Sequence, residues 1–507
     1  MFLAKLSKFV LKRSVIIGTA IFLQFLLLVF LLWKMTSQFV YIYSILTVFS
    51  LAAVVYVVGD KTNPAYKLGW TILILAFPAL GGIMYLLFGT SKISWSMKKS
   101  LTLQKALTHG ENFCKENLTE LKEADENIYR QLSYAESCGF PVYKNADLTY
   151  FPLGEYKFEA LKKELKKAQK YILMEYFIIS EGKMWSEILE ILKEKAAQGV
   201  EVRLIYDDCG CNDLPYEYPE HLKKCGINCR VFNPLKPSLS ITMNNRDHRK
   251  IVVIDGMTGF TGGINLGDEY INARVRHGHW KDCAVMVKGQ AVKTFIHLFF
   301  EMWNLIKKED EDITKYYGNY EIPETFDGYI QPYGVEPYNE ALGENIYLNM
   351  INKAKDEVLI FTPYLIITSE LITALTLSAR SGVKVTVVTP GIADKWYVHT
   401  LTRSYYLQLI QAGVEIYEYT PGFVHGKVVI ADGELASVGT INFDYRSLYL
   451  HFECGVLIYN SHVIEEIRDD FKKTVSESRL ITAEDCNKVP LRTRILRSIL
   501  RLFAPLM

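Results

Sequence analysis

Apolar positions follow two patterns along the chain: long uncharged runs near the N-terminus, then short runs separated by polar residues. The long runs are Val15–Trp33, Phe39–Val58 and Leu68–Phe88. Each approaches the about 20 apolar residues that a membrane-crossing helix needs. The pattern predicts a multi-pass protein of the cell membrane. Residues 1–90 would form a helical membrane region with two to three transmembrane helices, the third kinked or re-entrant at Pro78.

Basic residues flank both sides of this region, for example Lys5 and Arg13 before it and Lys92 and Lys98 after it. Lysine and arginine favour the cytoplasmic side, but here they give no preference. The membrane face that carries the rest of the chain therefore stays open.

From about Phe140 strand-like and helical segments alternate, and their order repeats. A predicted strand, helix and strand at Tyr171–Ile179, Trp185–Gln198 and Val200–Tyr206 return as Val358–Ile366, Glu370–Arg380 and Val383–Val388. Such a repeat predicts an α/β fold with two tandem domains, each a mixed sheet flanked by helices. The predicted division is a juxtamembrane linker at 91–139, a first domain at 140–306, a linker at 307–340, a second domain at 341–485 and an amphipathic basic segment at 486–507.

Composition narrows the possible partners and cofactors. The net charge is +1, so no global field favours nucleic acid. The cysteine pairs Cys209/Cys211 and Cys225/Cys229 differ in spacing and lack histidines at ligand spacing. We expect reduced thiols rather than zinc, and no other metal or cofactor. The arginines of Leu491–Met507 suit either an anionic lipid surface or a terminal helix with an exposed basic face.

One motif occurs in both predicted domains and carries reactive side chains. His248 and Lys250, like His425 and Lys427, stand two residues apart before an apolar run and an Asp-Gly pair. Because a strand has a period of two, each histidine points to the same side as its lysine. The two copies can therefore form one site with two imidazoles and two ammonium groups.

Asparagines follow both motifs at the same distance. Asn265 lies 17 residues after His248 (265 − 248), and Asn442 lies 17 after His425 (442 − 425). Each follows small residues that allow a ligand close, and an amide can donate to a phosphate oxygen. A glycine-rich loop at the end of a strand would explain the glycines but not the matched asparagines.

These features together resemble the phospholipase D superfamily, and more narrowly the bacterial cardiolipin synthases. The narrower resemblance rests on Asn63-Pro64, Gly69-Trp70, Tyr85–Gly89, Gly278–Asp282 and Phe443–Ser447. It implies a membrane phosphatidyltransferase that makes cardiolipin and glycerol from two phosphatidylglycerol molecules without a metal. His248 would be the nucleophile and His425 the general acid and base, although the near-equivalent halves leave the reverse order open. A hydrolase of lipid headgroups would use the same residues. The oligomeric state and the preferred acceptor alcohol stay open.

The family's motif also includes Asp255 and Asp432 among the catalytic residues. Both are an odd number of steps from their histidine and precede a glycine, so strand parity favours a structural role at a turn. The second nitrogen of an attacking histidine needs a partner. Asp282 and Glu453, each in a strand-like segment downstream, are the candidates, for their own half or the opposite one, and Glu175 is a weaker site candidate.

Overall fold

The computed structural model describes residues 40–60, 63–85, 115–144, 146–235, 244–309, 311–319, 327–337 and 340–506, with a few residues between 19 and 34. Helices come first: α1 (Val40–Gly59), α2 (Pro64–Ala76), α3 (Pro78–Met84), α4 (Lys115–Ala124) and α5 (Glu126–Ser137). The predicted span Val15–Trp33 lies only in part within the described residues. The run at Phe39–Val58 is helical from Val40 onwards, as α1.

The third apolar run is broken at Phe77. This residue has φ −134° and ψ 72° and lies between α2 and α3, directly before Pro78. A Cβ added at Gly81 would lie 2.6 Å from Ile74 Cα, so α3 folds back tightly onto α2. The edge-on contact of Trp70 with Tyr85, at 5.4 Å between ring centroids, joins the two helices.

In the described part of the chain, no helix combines the length and the apolar character that a complete bilayer crossing requires. The predicted transmembrane helices are therefore not confirmed.

After the N-terminal helices the chain forms two halves, and the first half is a mixed sheet with helices around it. Its strands are β1 (Tyr143–Lys144), β2 (Asp147–Phe151), β3 (Tyr171–Tyr176), β4 (Glu201–Asp207), β5 (Ile227–Phe232), β6 (Lys250–Ile254), β7 (Thr258–Gly262), β8 (His279–Lys281) and β9 (Ala284–Lys288). Its helices are α6 (Gly154–Lys167), α7 (Lys183–Ala197), α8 (Tyr218–Lys224) and α9 (Val292–Ile306), with 3₁₀ turns at Asp268–Ile271 and Ile313–Tyr316. The sheet order is β2-β9-β7-β6-β3-β4-β5.

The second half repeats this plan. Its strands are β10 (Tyr329–Val335), β11 (Glu357–Phe361), β12 (Leu365–Ile366), β13 (Lys384–Pro390), β14 (Glu415–Tyr419), β15 (Gly422–Val424), β16 (Val428–Ala431), β17 (Leu435–Gly439), β18 (Phe443–Asp444), β19 (Glu453–Tyr459) and β20 (Ser478–Leu480). Its helices are α10 (Leu342–Lys353), α11 (Ser369–Arg380), α12 (Trp396–Ile410), α13 (Tyr445–Tyr449), α14 (Val463–Ser476), α15 (Ala483–Asn487) and α16 (Leu491–Leu502), followed by a 3₁₀ turn at Ala504–Leu506. The sheet order is β1-β10-β19-β17-β16-β11-β13-β14-β20.

The two sheets share one topology. In each, three strands run parallel (β3-β4-β5 and β11-β13-β14), and the strand of the histidine-lysine motif pairs antiparallel to the first of them. The central strands β3, β6, β7 and β16 are buried along their whole length because helices and the opposite half cover them. The predicted tandem α/β architecture is confirmed.

Backbone pairs join the halves at the site. β8 runs parallel to β15, with Trp280 opposite Phe423, and Asp247 bridges to Phe452. One apolar core runs through both halves and includes Ile251 of β6 and Val428 of β16. The halves therefore form one body.

The structure differs from the predicted division of the chain at two places. β10 lies in the stretch 307–340 that was expected to be a linker, and it pairs with β19 along its whole length. β1 was expected in the first domain but pairs with β10 in the second sheet. Each of these pairings covers the edge of a strand that would otherwise expose unpaired backbone groups.

Candidate active site

Each motif histidine lies at the start of a buried strand, on a segment held by the opposite half. The amide of His248 donates to Phe452 O at 2.9 Å, and the amide of His425 donates to Lys281 O at 2.6 Å. Both rings line one cavity of about 650 Å³ between the halves. The two motif copies therefore meet in a single site, as the sequence predicts.

Each imidazole is bound by a carboxylate from the other half. His248 Nδ1 lies 2.9 Å from each oxygen of Glu453, and His425 Nδ1 lies 2.6 Å from Asp282 Oδ2. Both carboxylates are fully buried. An ionised carboxylate only accepts, so Nδ1 of each ring carries a proton and Nε2 keeps its lone pair.

Burial determines the charge state of both histidines. Burial lowers the pKa of His425 to about 4, assisted by Lys427 and opposed by Asp282. Burial also lowers the pKa of His248 well below its usual value, and Lys250 and Lys427 add to this effect. Both imidazoles are therefore neutral at neutral pH, as a nitrogen nucleophile must be.

The two lysines are buried beside the histidines. Lys250 Nζ donates to His248 O at 2.5 Å, and Lys427 Nζ donates to His425 O. Burial lowers the pKa of each ammonium to about 8, and Glu453 and Asp282 respectively oppose the shift most. Since an ammonium has three protons, each lysine retains donors for a substrate oxygen.

Asp255 and Asp432 lie at the far end of the motif strands, away from the imidazoles. Asp255 accepts from the amides of Gln169, Lys170 and Tyr171 at 2.7 to 2.8 Å. Asp432 accepts from the amides of Lys355, Asp356 and Glu357 at 2.8 to 3.0 Å. Each carboxylate thus holds the backbone that leads into the neighbouring central strand, β3 or β11.

The turns explain why Asp-Gly ends each motif. Asp255 and Gly256 have φ of 52° and 67°, and Asp432 and Gly433 have φ of 55° and 65°. Two successive positive φ angles define the type I′ turn of a tight hairpin, which favours Asp-Gly. The structure therefore gives both aspartates the structural position that strand parity indicates.

The asparagines line the cavity in two different states. Asn265 accepts from Ile178 N at 3.0 Å and donates to Tyr270 Oη at 2.9 Å, which fixes its amide. Asn442 is also buried, and its amide oxygen has no hydrogen-bond partner among the described residues. The unpaired atom of Asn442 is an acceptor; its amide nitrogen donates to Asp444 and has a second proton for a ligand oxygen.

Glu175 lies beneath the site rather than in it. It is fully buried on β3 opposite Ile251, and it does not line the cavity. Burial and the neighbouring Asp247 raise its pKa well above the usual value. The neighbouring Arg249 is buried too, and burial disfavours its charge. The carboxylates of Glu301, Glu175 and Asp247 nevertheless hold the pKa of Arg249 above its ordinary value. We assign this cluster to support of the strand.

Sequence reasoning missed the residues that flank the histidines. His451 lies with its ring centroid 5.6 Å from that of His248, and Trp280 lies 5.2 Å from His425. Each stands two positions before the carboxylate that binds the same histidine. Aligning the repeats on Asp282 and Glu453 would have found both.

A group of three side chains offers metal-ligand atoms. These are His248, His451 and Glu453, and one ligand atom of each lies within 4.8 Å of the other two. The described part of the chain contains one such group. A metal there would displace the bond that orients His248. The cysteine pairs considered for zinc are free thiols and form no such group among the residues described.

Comparison with known families identifies this arrangement. A family model described as "Cardiolipin synthase, PLD-like domain" matches residues 161–303 and 347–475, one stretch in each half. The chain belongs to the phospholipase D-like cardiolipin synthase family. A second model, "Phospholipase_D-nuclease N-terminal", matches residues 45–89 in the N-terminal helices.

Individual proteins agree with the family over most of the chain. An uncharacterised protein of Streptococcus mutans serotype c is 43% identical over 90% of this chain and 100% of its own length. A cardiolipin synthase of Geobacillus sp. (strain WCH70) is 33% identical over 92% of this chain and 93% of its own. A cardiolipin synthase of Geobacillus thermodenitrificans is 34% identical over 92% of this chain and 94% of its own length.

A solved structure shares the fold. The crystal structure of phosphatidylserine synthase from Haemophilus influenzae Rd KW20 superposes with a TM-score of 0.58 at 12% identity. The match covers 74% of this chain and 97% of that chain. At this identity the likeness concerns the fold alone.

Proposed function

We propose that the protein is a phosphatidyltransferase that makes cardiolipin and glycerol from two phosphatidylglycerol molecules. The observation that carries this proposal is the pair of neutral imidazoles in one cavity, each with Nδ1 held by a buried carboxylate and Nε2 available. This is the minimum that two successive displacements at one phosphorus need: one nucleophile and one proton carrier.

In the first step, His248 Nε2 attacks the phosphorus of one phosphatidylglycerol. A P–N bond forms, the bond from phosphorus to the glycerol oxygen breaks, and His425 Nε2 gives its proton to that oxygen. Glu453 stabilises the positive charge that develops on His248. The negative charge of the bound phosphodiester raises the pKa of His425, so the acid form becomes available once substrate is bound.

In the second step, the headgroup hydroxyl of another phosphatidylglycerol replaces the glycerol. Its oxygen attacks phosphorus, its proton passes to His425 Nε2, the P–N bond breaks, and cardiolipin leaves. His248 returns to its neutral form and His425 to its protonated form. The remaining protons of Lys250 and Lys427, with Asn442, would stabilise the non-bridging oxygens as charge accumulates.

The assignment of His248 as nucleophile follows the family analogy and has support from the two environments. Asp282 directly opposes the lowering of the His425 pKa, which favours His425 as the group that gains and loses a proton. For His248 the principal influences, burial and two lysines, all favour the neutral form that attacks.

We also propose that the enzyme works at an anionic membrane and is attached to it by several N-terminal spans. The N-terminal helices contact the C-terminal segment: a Cβ added at Gly69 of α2 would lie 3.4 Å from Leu502 O. On α16, Leu491, Ile495 and Ile499 are exposed among arginines. Such a helix suits the headgroup region of an anionic membrane.

Attachment can be tested on membranes from cells that express the full chain. After an alkaline carbonate wash, a multi-pass protein stays in the pellet, whereas a protein held by α16 alone moves to the supernatant. Recovery in the supernatant would contradict the multi-pass proposal.

The activity is tested with purified protein in detergent and phosphatidylglycerol as the only lipid. We expect cardiolipin and glycerol in equal amounts. Phosphatidic acid with glycerol would instead identify a hydrolase with the same site, and no turnover would exclude both. An Arg130→Gln variant, altered at an exposed ion pair on α5, serves as the control for preparation and should match the wild type.

A further inference from the structure

The cavity has two side walls that differ in charge although the halves share one backbone plan. Beside His248 lies a basic wall of Arg246 and Arg446, together with His451, whose pKa burial lowers to about 3. Beside His425 lies an aromatic wall of Tyr270 and Trp280. The difference is greatest at one matched position: Arg446 stands four residues after Asn442 (446 − 442), and Glu269 stands four after Asn265 (269 − 265).

Arg446 and Glu269 both line the cavity, but only Glu269 is compensated. Arg276 Nη1 lies 3.7 Å from Glu269 Oε1. Among the described residues, no carboxylate lies within ion-pair distance of Arg446. Asp444, the nearest acid along the chain that lines the cavity, accepts from Ser447 N at 2.8 Å and caps α13. Among the described residues no ion pair neutralises this guanidinium, although it lies near enough to Asp444 to oppose the rise that burial causes in the pKa of that carboxyl.

A specific contact positions this guanidinium. Arg446 Nε donates to His451 Nε2 at 3.2 Å, and the amide of His451 donates to Arg446 O at 2.8 Å. These bonds use one of five donors of Arg446 and leave both Nη groups. Arg246 Nη1 lies 3.4 Å from Asp207. Burial raises the pKa of Cys209, and the guanidiniums of Arg246 and Arg446 both oppose this rise. Both guanidiniums are therefore close to Cys209.

The proposed reaction needs such a group. Phosphatidylglycerol carries its own phosphodiester when it acts as acceptor, so the cavity must hold two phosphates in the second step. Lys250 and Lys427 lie beside the histidines and serve the reacting phosphorus. A second anion in a buried cavity is costly unless a cation binds it, and a planar guanidinium fork fits a phosphodiester.

We infer that Arg446 binds the phosphodiester of the acceptor lipid, so that the acceptor enters with its phosphate towards the basic wall, whereas Glu269 at the matched position is paired with Arg276 and offers no such site. This inference rests on the proposed function. It makes Arg446 the residue that distinguishes a lipid acceptor from a small uncharged alcohol.

The test compares two reactions of the same protein that differ in the acceptor. Cardiolipin synthesis from phosphatidylglycerol needs the second phosphate. Exchange of radiolabelled glycerol into phosphatidylglycerol uses the same histidines and the same covalent intermediate, but its acceptor has no phosphate. Both are measured on the full chain in detergent micelles.

For Arg446→Gln we expect cardiolipin synthesis to fall about 10- to 100-fold, the usual loss for a charge-assisted contact, mainly through a higher KM for phosphatidylglycerol as acceptor. Glycerol exchange should stay within about threefold of the wild type. Arg446→Lys keeps the charge without the fork and should recover part of the synthesis. Arg130→Gln should change neither reaction.

Equal losses in both reactions would overturn the inference, because Arg446 would then act on the shared chemistry through His451. So would unchanged synthesis in Arg446→Gln. Retained exchange itself shows that a variant is folded. If the wild type releases phosphatidic acid and no cardiolipin, the proposed function fails, and the inference fails with it; that outcome is seen without any variant.

Discussion

The surroundings of His248 and His425 share the parts that perform chemistry and differ in the parts that line the cavity. Both histidines have a carboxylate from the opposite half, a lysine on their own carbonyl and an aspartate at the hairpin turn. Around these common parts, Trp280 on one side corresponds to His451 on the other. Duplication accounts for two equivalent imidazoles, and the different lining is the basis on which we propose separate roles for them.

The two carboxylates show how a small change accompanies each role. Glu453 accepts from Thr440 Oγ1 as well as from His248. At the matched position of the first half stands Gly263, where a Cβ would lie 2.1 Å from Asp282 Oδ1. The shorter Asp282 packs against Gly263, and the longer Glu453 packs against Thr440. Both carboxylates thereby reach Nδ1 of their histidine.

The largest expected effects come from the histidines. His248→Ala and His425→Ala should each lower cardiolipin synthesis by about 10⁴-fold or more, because the two act as one unit. A phosphatidyl ester of nitrophenol, whose leaving group needs no proton, distinguishes them. We expect His425→Ala to form a stable phosphatidyl-enzyme that mass spectrometry detects, and His248→Ala to form none. The opposite pattern would exchange the two roles.

The second-largest effects are expected at the two carboxylates, each of which binds the histidine of the opposite half. Glu453→Gln and Asp282→Asn should each lower turnover by about 10²-fold or more, since an amide no longer fixes the tautomer and stabilises the imidazolium. With the nitrophenyl ester, Glu453→Gln should slow the initial burst of nitrophenol. Asp282→Asn should keep the burst and slow the steady state. If Asp282→Asn removes the burst instead, the pairing of roles is wrong.

Asp255 and Asp432 should affect folding rather than chemistry. Replacing either by Asn removes a charged acceptor for three backbone amides, which we expect to lower the free energy of unfolding by about 1.5–3 kcal/mol. The kcat of the folded fraction should stay within about threefold. Denaturant titration and activity per folded protein measure the two effects, with the exposed Asp147→Asn as control. A stable but inactive variant would make the aspartate catalytic.

The smallest expected effect tests the difference between His451 and Trp280. Burial lowers the pKa of His451 to about 3, although Glu453 opposes this. The unfolded chain takes up a proton on this histidine below about pH 6.5 and the folded protein does not, so stability falls as the pH decreases. From pH 6.5 to 5 the wild type should lose up to about 2 kcal/mol more than His451→Asn. Parallel stability curves would show that the folded protein binds this proton too. Trp280→Phe should leave the pH dependence unchanged.

Much of the fold could be predicted from period and repetition. The predicted strand Val200–Tyr206 is β4 (Glu201–Asp207), and the predicted helix Trp185–Gln198 is α7 (Lys183–Ala197). Errors lie where a segment joins a distant partner. β10 contains a proline and becomes a strand through its pairing with β19 and β1. The run Leu68–Phe88 bends at Phe77 because Pro78 starts a new helix.

By itself the sequence determined the reactive residues and which of them share a strand face, because side-chain direction in a strand depends only on parity. It also indicated that Asp255 belongs to a turn. Only the tertiary structure decided that Glu453 serves His248 and Asp282 serves His425, since those pairs join residues 205 and 143 positions apart. The charge difference between Arg446 and Glu269 gained its meaning in the same way: it matters only because folding places both residues around one cavity.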